Sequence, residues 1–287
     1  MKTVNIHRLL IAVVALSMIA VLSGCVRHSR ASNRDGKTEG SDLAVKEEIK
    51  QTFKLAPATK VNISGINGSV DIQSSETDAA DIHIVRSAND QSTLSDRKMI
   101  VEYQNDTLTI RHRRGDDDSL WNALKGRGEI RTRVMLKLPR NIRLDVSGVN
   151  GRVNTGEIDG SVEMSGINGK IVVAQTAGTV SLSGVNGPID VGLKNLHPRG
   201  VEFSGINGPI ELRFAGEVNA DLDVSGFNGG FRDEGLNVQL SEKRNRHNFN
   251  GKIGNGGALL SFSGINGSLT LMKAGQTAGG SSAAPAK

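Results

Sequence analysis

The side chains in this sequence that could do chemistry are carboxylates recurring at fixed places around a repeated segment, Ser-Gly-aliphatic-Asn-Gly. Asp145, Glu163, Glu202 and Asp223 each stand two residues before a copy of it, and Asp71, Asp190 and Glu211 each stand three residues after one. Paired carboxylates serve as acid, base or nucleophile in polysaccharide-active enzymes. Rows of them can also hold a hard cation. Ser181 interrupts the first set and Val172 the second, and basic residues nearby can relieve the repulsion, as on an ordinary solvated strand face. The copies also lack the Gly-Gly-x-Gly-x-Asp pattern of calcium-binding β-rolls. His28, His83, His112, His197 and His247 are scattered, with no His-Glu-x-x-His pair. A Gly-x-Ser-x-Gly elbow and a phosphate-binding loop are absent too. The expectation is a protein without catalytic residues, metal or cofactor.

Two stretches that interrupt the repeats could carry recognition, since binding groups concentrate on loops. One is Asp116-Asp117-Asp118-Ser119-Leu120-Trp121, with the single tryptophan, and the other is Lys243-Arg244-Asn245-Arg246-His247. Asp116, Asp117, Asp118 and Trp121, with Lys243, Arg244 and Arg246, are the candidate binding residues, the basic run suiting an anionic lipid or glycan. The competing reading of each is a solvated insertion, with Trp121 packing on the fold.

The most reactive atom is the sulfur of Cys25, the only cysteine. It follows Lys2 and Arg8, an apolar run from Leu9 to Leu22, and Ser23-Gly24. A basic start, a short apolar stretch and small residues form the layout of a secretory signal, and the run is shorter than the roughly 20 residues needed to span a bilayer. Leu22-Ser23-Gly24-Cys25 resembles the bacterial lipobox. By that resemblance to bacterial lipoproteins, Cys25 begins the mature chain and carries the lipid that attaches it to the membrane. Val26 stands where an aspartate would signal inner-membrane retention, so outer-membrane sorting is expected. Residues 25–52 read as a flexible tether.

Without Lys2 and Arg8, 33 of the 35 basic residues remain against 30 acidic ones, a net charge of +3. With aromatics at 3%, there is no basic surface interleaved with aromatics, and nucleic acid is set aside as a partner.

The elements that must position these groups come from the repeat. Copies begin at Ser64, Ser147, Ser165, Ser183, Ser204, Ser225 and Ser263. The column before the serine is always apolar (Ile63, Val146, Met164, Leu182, Phe203, Val224, Phe262), as is the column two residues earlier, with mostly polar residues between. This period of two marks half-buried strands. Within the motif, glycines beside a short polar residue suit a corner. Asn-Gly also favours a hairpin, but spacings of 18 to 21 residues favour stacked coils of two strands and two corners. The fold class expected is all-β, a parallel β-solenoid with a less regular N-terminal β cap. Stacking would align Asn67, Asn150, Asn168, Asn186, Asn207, Asn228 and Asn266 as structural corner residues in an amide ladder. The interval from Ser225 to Ser263 fits two coils, or one coil and an insertion.

From the alternating strands, the Pro139-Arg140-Asn141 turn and the copies between Asp145 and Met272, the chain resembles the bacterial putative-adhesin domain of unknown function and the head domain named for Gly-Ile-Asn repeats. That resemblance, over Phe53 to Lys273, implies a β-helical or β-roll fold, an envelope location and an adhesion or scaffolding role. The segments Arg113 to Gly128 and Asp233 to Gly257 depart from it. The organisation expected is a signal peptide (1–24), tether (25–52), N-terminal β part (53–144), regular repeats (145–273) and a disordered tail (274–287). The function expected is a non-catalytic, lipid-anchored envelope protein that binds glycan or protein. An envelope-stress partner and a polysaccharide-active enzyme are the alternatives, and oligomeric state is not legible.

Overall fold

The computed structural model describes residues 45–113, 129–241, 245 and 247–275. These build two large, mostly parallel sheets in an all-β, solenoid-like arrangement. Sheet A holds, in spatial order, β1 (Val45–Lys54), β4 (Ala79–Ala88), β7 (Ile130–Pro139), β3 (Gly68–Ser75), β9 (Val153–Ile158), β11 (Ile171–Thr176), β13 (Ile189–Leu193), β15 (Ile210–Phe214), β21 (Leu269–Lys273) and β17 (Phe231–Glu234). Sheet B holds β18 (Gln239–Leu240), β19 (Phe249–Ile253), β16 (Ala220–Ser225), β20 (Ala258–Asn266), β14 (Val201–Asn207), β12 (Val180–Asn186), β10 (Val162–Asn168), β8 (Arg143–Asn150), β2 (Lys60–Ser64), β6 (Thr107–His112) and β5 (Met99–Gln104). Each motif copy joins one strand of sheet B to one of sheet A, and equivalent residues pair in register: Met164 with Val146 and Leu182, Ile171 with Val153 and Ile189.

Register follows from burial. The two apolar columns before the serine and the one after the motif point between the sheets, where Val61, Ile63, Met164, Leu182, Phe203 and Ile171 are all buried. A one-residue slip would turn a whole strand's apolar set outward. The aliphatic inside the motif is buried as well, from Ile66 to Ile265. Burying such a side chain contributes about 1.5–3 kcal/mol before chain entropy is subtracted. A single unit cannot bury its apolar columns alone, so stability comes from stacking.

One corner, Ser165-Gly166-Ile167-Asn168-Gly169, explains the motif. Gly166 has φ +61°, in the left-handed region, with only ordinary contacts around a Cβ placed there. Gly169, at φ +154°, lies under the corner above: a Cβ there would sit 2.1 Å from the Gly151 carbonyl oxygen. The first glycine is required by conformation, the second also by close approach of backbones. Between them Ile167 turns inward and Asn168 outward.

The units do not stack in chain order at either end. At the C-terminal end β20 and β21 insert between the strands of the Ser204 copy and those of the Ser225 copy, giving β14-β20-β16 and β15-β21-β17. Of the two readings of the 38-residue interval, one coil and an insertion holds, with the order along the stack reversed: the chain moves out past one level, folds back through β18 and β19, and fills the level it skipped. Phe262 thereby meets Phe203 edge-on, with ring centroids 5.4 Å apart. Part of the 233–257 segment is strand, since β19 runs antiparallel to β16 with Phe249 against Phe227. At the N-terminal end β2 and β3 likewise lie inside β6 and β7, which come later in the chain.

Antiparallel strands close the stack: β4 and β1 beyond β7, β5 beyond β6, and β19 beyond β16. The β5–β6 hairpin turns at Asn105-Asp106, both with positive φ, as a tight primed turn requires. Strand β1 covers Val45–Lys54, so part of the stretch assigned to the tether (25–52) is strand. β1 alternates Val45, Glu47, Ile49, Gln51 and Phe53 toward the core side with charged or polar residues outward, and the inward Glu47 and Gln51 disguise that period. The short helix α1 (Gln91–Asp96), capped by the Asp90 carboxylate accepting from the Thr93 amide at 2.8 Å, fits beside β4. Below it lies Arg86, 1% exposed, whose guanidinium contacts Glu47 and donates to the Arg97 carbonyl.

Candidate functional site

Of the residues singled out from sequence, Cys25, Asp116, Asp117, Asp118, Trp121, Lys243, Arg244 and Arg246 lie outside the described residues, as do the signal segment and residues 276–287. The seven corner asparagines are all described, and they form one continuous ladder. Each Nδ2 donates to the Oδ1 of its neighbour: Asn150 to Asn67 (3.1 Å), Asn168 to Asn150 (3.2 Å), Asn186 to Asn168 (3.2 Å), Asn207 to Asn186 (3.0 Å), Asn266 to Asn207 (3.1 Å) and Asn228 to Asn266 (3.2 Å). Asn67 ends the row by donating to the Ile130 carbonyl at 2.8 Å. The order follows space, not sequence, Asn266 preceding Asn228. These amides are consumed by each other along one edge, which makes them architecture.

The acidic columns are less continuous than the sequence makes them. Because β20 intervenes, the row on the outer face of sheet B reads Asn62, Asp145, Glu163, Ser181, Glu202, Ser261, Asp223. Asp145 is paired to Lys60 at 2.8 Å. On sheet A only Asp190 and Glu211 are adjacent, and Arg213 bridges them, at 2.6 Å from Asp190 and 3.5 Å from Glu211. Asp71 accepts from Asn154 at 2.7 Å. Among the described residues, no group of three or more His, Cys, Asp or Glu side chains is placed to hold a metal ion.

The structure instead gathers a different set. A groove of about 500 Å³ lies on the outer face of sheet A where β1, β4, β7 and β3 adjoin. Two cross-strand rows line it: Lys50, His83, Met135, Asp71, and beside them Thr52, Asp81, Lys137, Gln73. The strands fix these side chains because their neighbours Ile82, Ile84, Leu136 and Ile72 are buried on the opposite face. The charges alternate, two lysines against two aspartates, around the half-buried Met135. Thr52 donates to Asp81 at 2.9 Å, and His83 contacts Glu48, which also pairs with Lys50 at 2.9 Å. Those two partners, Lys50 foremost and then His83, hold the Glu48 carboxyl below its ordinary pKa. Lys137 and Gln73 have no side-chain partner among the described residues, so their donors and acceptors face the groove.

The alternation Asp81-Ile82-His83-Ile84 shows in the sequence that Asp81 and His83 share a face. Nothing in the sequence states that β7 lies between β4 and β3, so the groove is invisible there. The single signal for it is Met135, an apolar residue at an outward position of a strand.

No family model matches the sequence, and no curated protein matches it. Among solved structures, one titled a putative cell adhesion protein from Clostridium sporogenes is similar at 12% identity, covering 80% of this chain and 100% of that one, with a TM-score of 0.41. A putative adhesin from Parabacteroides merdae follows at 11% identity, 79% and 96% coverage and a TM-score of 0.29. A putative lipid binding protein from Parabacteroides distasonis has 10% identity, 80% and 95% coverage and a TM-score of 0.27.

Proposed function

We propose that the protein is a non-catalytic adhesin or scaffold of the bacterial cell envelope, anchored by lipid on Cys25, that binds an uncharged glycan in the groove on sheet A. The mixed lining of the groove carries this reading. A sugar presents hydroxyls that both donate and accept, together with apolar C–H faces. Lys50, Lys137 and Gln73 can donate to it, Asp71, Asp81 and Gln73 can accept from it, and the Met135 side chain offers an apolar contact. The balance of two lysines and two aspartates gives the groove no net preference for a charged polymer. Within this reading the stacked units are coils of a parallel β-solenoid, the amide ladder holding one edge straight while the face serves for binding. The anchor rests on Leu22-Ser23-Gly24-Cys25 after a basic, apolar start.

Binding of purified envelope polysaccharides and oligosaccharides tests the groove. Lys137→Ala and Gln73→Ala are each expected to weaken capture about tenfold, a change of ~1.4 kcal/mol, with the polymer released intact. Capture unchanged in both, or shortened polymer products, would refute the assignment. Labelled fatty acid incorporated into the wild type and lost in Cys25→Ser tests the anchor separately.

A further inference from the structure

We propose that strand β1 is a self-pairing edge through which two copies of this chain join antiparallel, continuing sheet A across both molecules. β1 is the terminal strand of sheet A, and among the described residues nothing pairs with its far side. All ten of its residues, Val45 to Lys54, are paired to β4 on the other side. The remaining terminal strands are shorter: β17 has four residues, β18 two and β5 six. A long flat edge with unpaired backbone donors and acceptors is a template for another strand.

The side chains of β1 encode one register. In an antiparallel pair of identical strands, residues directly opposite have a constant sum of numbers, and an even sum keeps inward residues opposite inward ones. With the dyad at Ile49, Glu48 faces Lys50 of the second copy, and Lys50 faces its Glu48. Lys46 then faces Thr52, Glu47 faces Gln51, Val45 faces Phe53, and Ile49 faces itself. Every outward charge meets an opposite or a neutral partner. Moving the dyad by one residue to Glu48 sets Glu48 against Glu48 and Lys46 against Lys50. Moving it to Lys50 sets Lys50 against Lys50 and Lys46 against Lys54. Like charges directly opposite are destabilising, so the sequence accepts one register and rejects its neighbours.

One further observation agrees. Ile49 and Phe53 are only partly buried, packing on the core from a strand that overhangs sheet B by one position. The Ile49-centred register also sets Gln51 of each copy beside Glu47 of the other, an amide donor opposite a carboxylate acceptor. The two grooves, which both include Lys50, then adjoin across the dyad as one longer trough. The lipid-anchor reading adds a constraint the geometry meets. The two Val45 residues would lie about 27 Å apart along the paired strands, and the intervening residues 26–44 of each copy can reach roughly 60 Å when extended, so both anchors can enter one bilayer.

Variants of the full-length chain that keep Cys25 and gain one further cysteine, oxidised in intact cells and resolved without reductant beside the wild type, test the register. Ile49→Cys is expected to form a covalent dimer by itself, since facing Cα atoms in an antiparallel pair lie at disulfide distance. Glu48→Cys and Lys50→Cys are expected to join each other when co-expressed far better than either joins itself. In an Ile49→Cys background, Glu48→Lys or Lys50→Glu alone is expected to reduce dimer about tenfold, and the double exchange Glu48→Lys with Lys50→Glu to restore it. Absence of the Ile49→Cys dimer in folded protein, equal yields at positions 48, 49 and 50, or indifference to charge reversal would overturn the proposal. Yields are read in membrane and soluble fractions: the register pattern appearing in soluble protein alone refutes the lipid anchor while supporting the dimer.

Discussion

The two glycines of each motif do different work, and substituting them one at a time separates conformation from contact. In the central corner, Gly166→Ala forces a side chain into φ +61° with ordinary space around it. The expected cost is that of a left-handed L-residue, roughly 1–2 kcal/mol. Gly166→Asn, whose side chain tolerates that region, should cost less. Gly169→Ala puts a methyl carbon 2.1 Å from the Gly151 oxygen, well inside contact distance. Neither backbone can yield freely, since the Gly169 amide donates to the Asn186 carbonyl and the Gly151 amide to the Asn168 carbonyl, both at 2.9 Å. Overpacking costs about 1–3 kcal/mol, and strain at a glycine-only φ of +154° adds about as much again, so about 2–6 kcal/mol in total is expected. Urea unfolding followed by far-ultraviolet circular dichroism gives the order: Gly169→Ala far below Gly166→Ala, and Gly166→Asn nearest the wild type. If Gly169→Ala costs no more than Gly166→Ala, the stacked backbones are not in the contact described and the account of the corner fails.

The ladder makes a graded prediction: Asn168→Ala removes two amide hydrogen bonds and Asn228→Ala one, so urea midpoints should give about 1–2 kcal/mol for the first and about half for the second. Arg86→Ala leaves a cavity, the exposed end of Glu47 unpaired and the Arg97 carbonyl without its donor. Its expected cost is about 2–4 kcal/mol, from the cavity and the carbonyl left without a donor, with Arg86→Met milder because it refills the space, as paired thermal midpoints will tell. His112 has its pKa lowered by burial first and then by the Arg86 charge. Below about pH 6.5 the unfolded chain therefore takes up a proton more readily than the folded one, and stability should fall as pH drops from there to the folded-state pKa and level off below it. Thermal midpoints between about pH 7.5 and 5 should show that slope shallower in His112→Gln.

Much of the architecture was legible because each local rule repeats. The apolar columns gave the strand faces, and the Asn-Gly corners gave the level at which copies align. Spacing favoured stacking over a meander, which the in-register parallel pairing of β8, β10 and β12 bears out. Order along the stack was not legible. That β20 sits between β14 and β16 depends on Phe262 finding Phe203 across 59 residues of chain, and a column of equivalent residues reads the same whichever copy is its neighbour. β1 was missed for a related reason: Glu47 and Gln51 face the core side of a terminal strand, where half-burial tolerates polar groups. The groove fell outside sequence reasoning because it arises from the pairing of β1, β4, β7 and β3, drawn from separate parts of the chain.

The regular middle and the irregular ends therefore have different capacities. Where copies repeat in register, any ligand contact made on one level is offered again about 4.8 Å away on the next, so such a surface can bind but cannot fix a position along the stack. A defined site needs a break in the period. The N-terminal end supplies one: antiparallel β1 and β4 set Lys50, His83 and Asp81 beside Met135, Lys137, Asp71 and Gln73, a combination found on no other level of the described sheets. The antiparallel strands that end the stack are thus also those that make one part of its face distinguishable, and in the proposed dimer the charge pattern of β1 extends that distinction to how two copies meet.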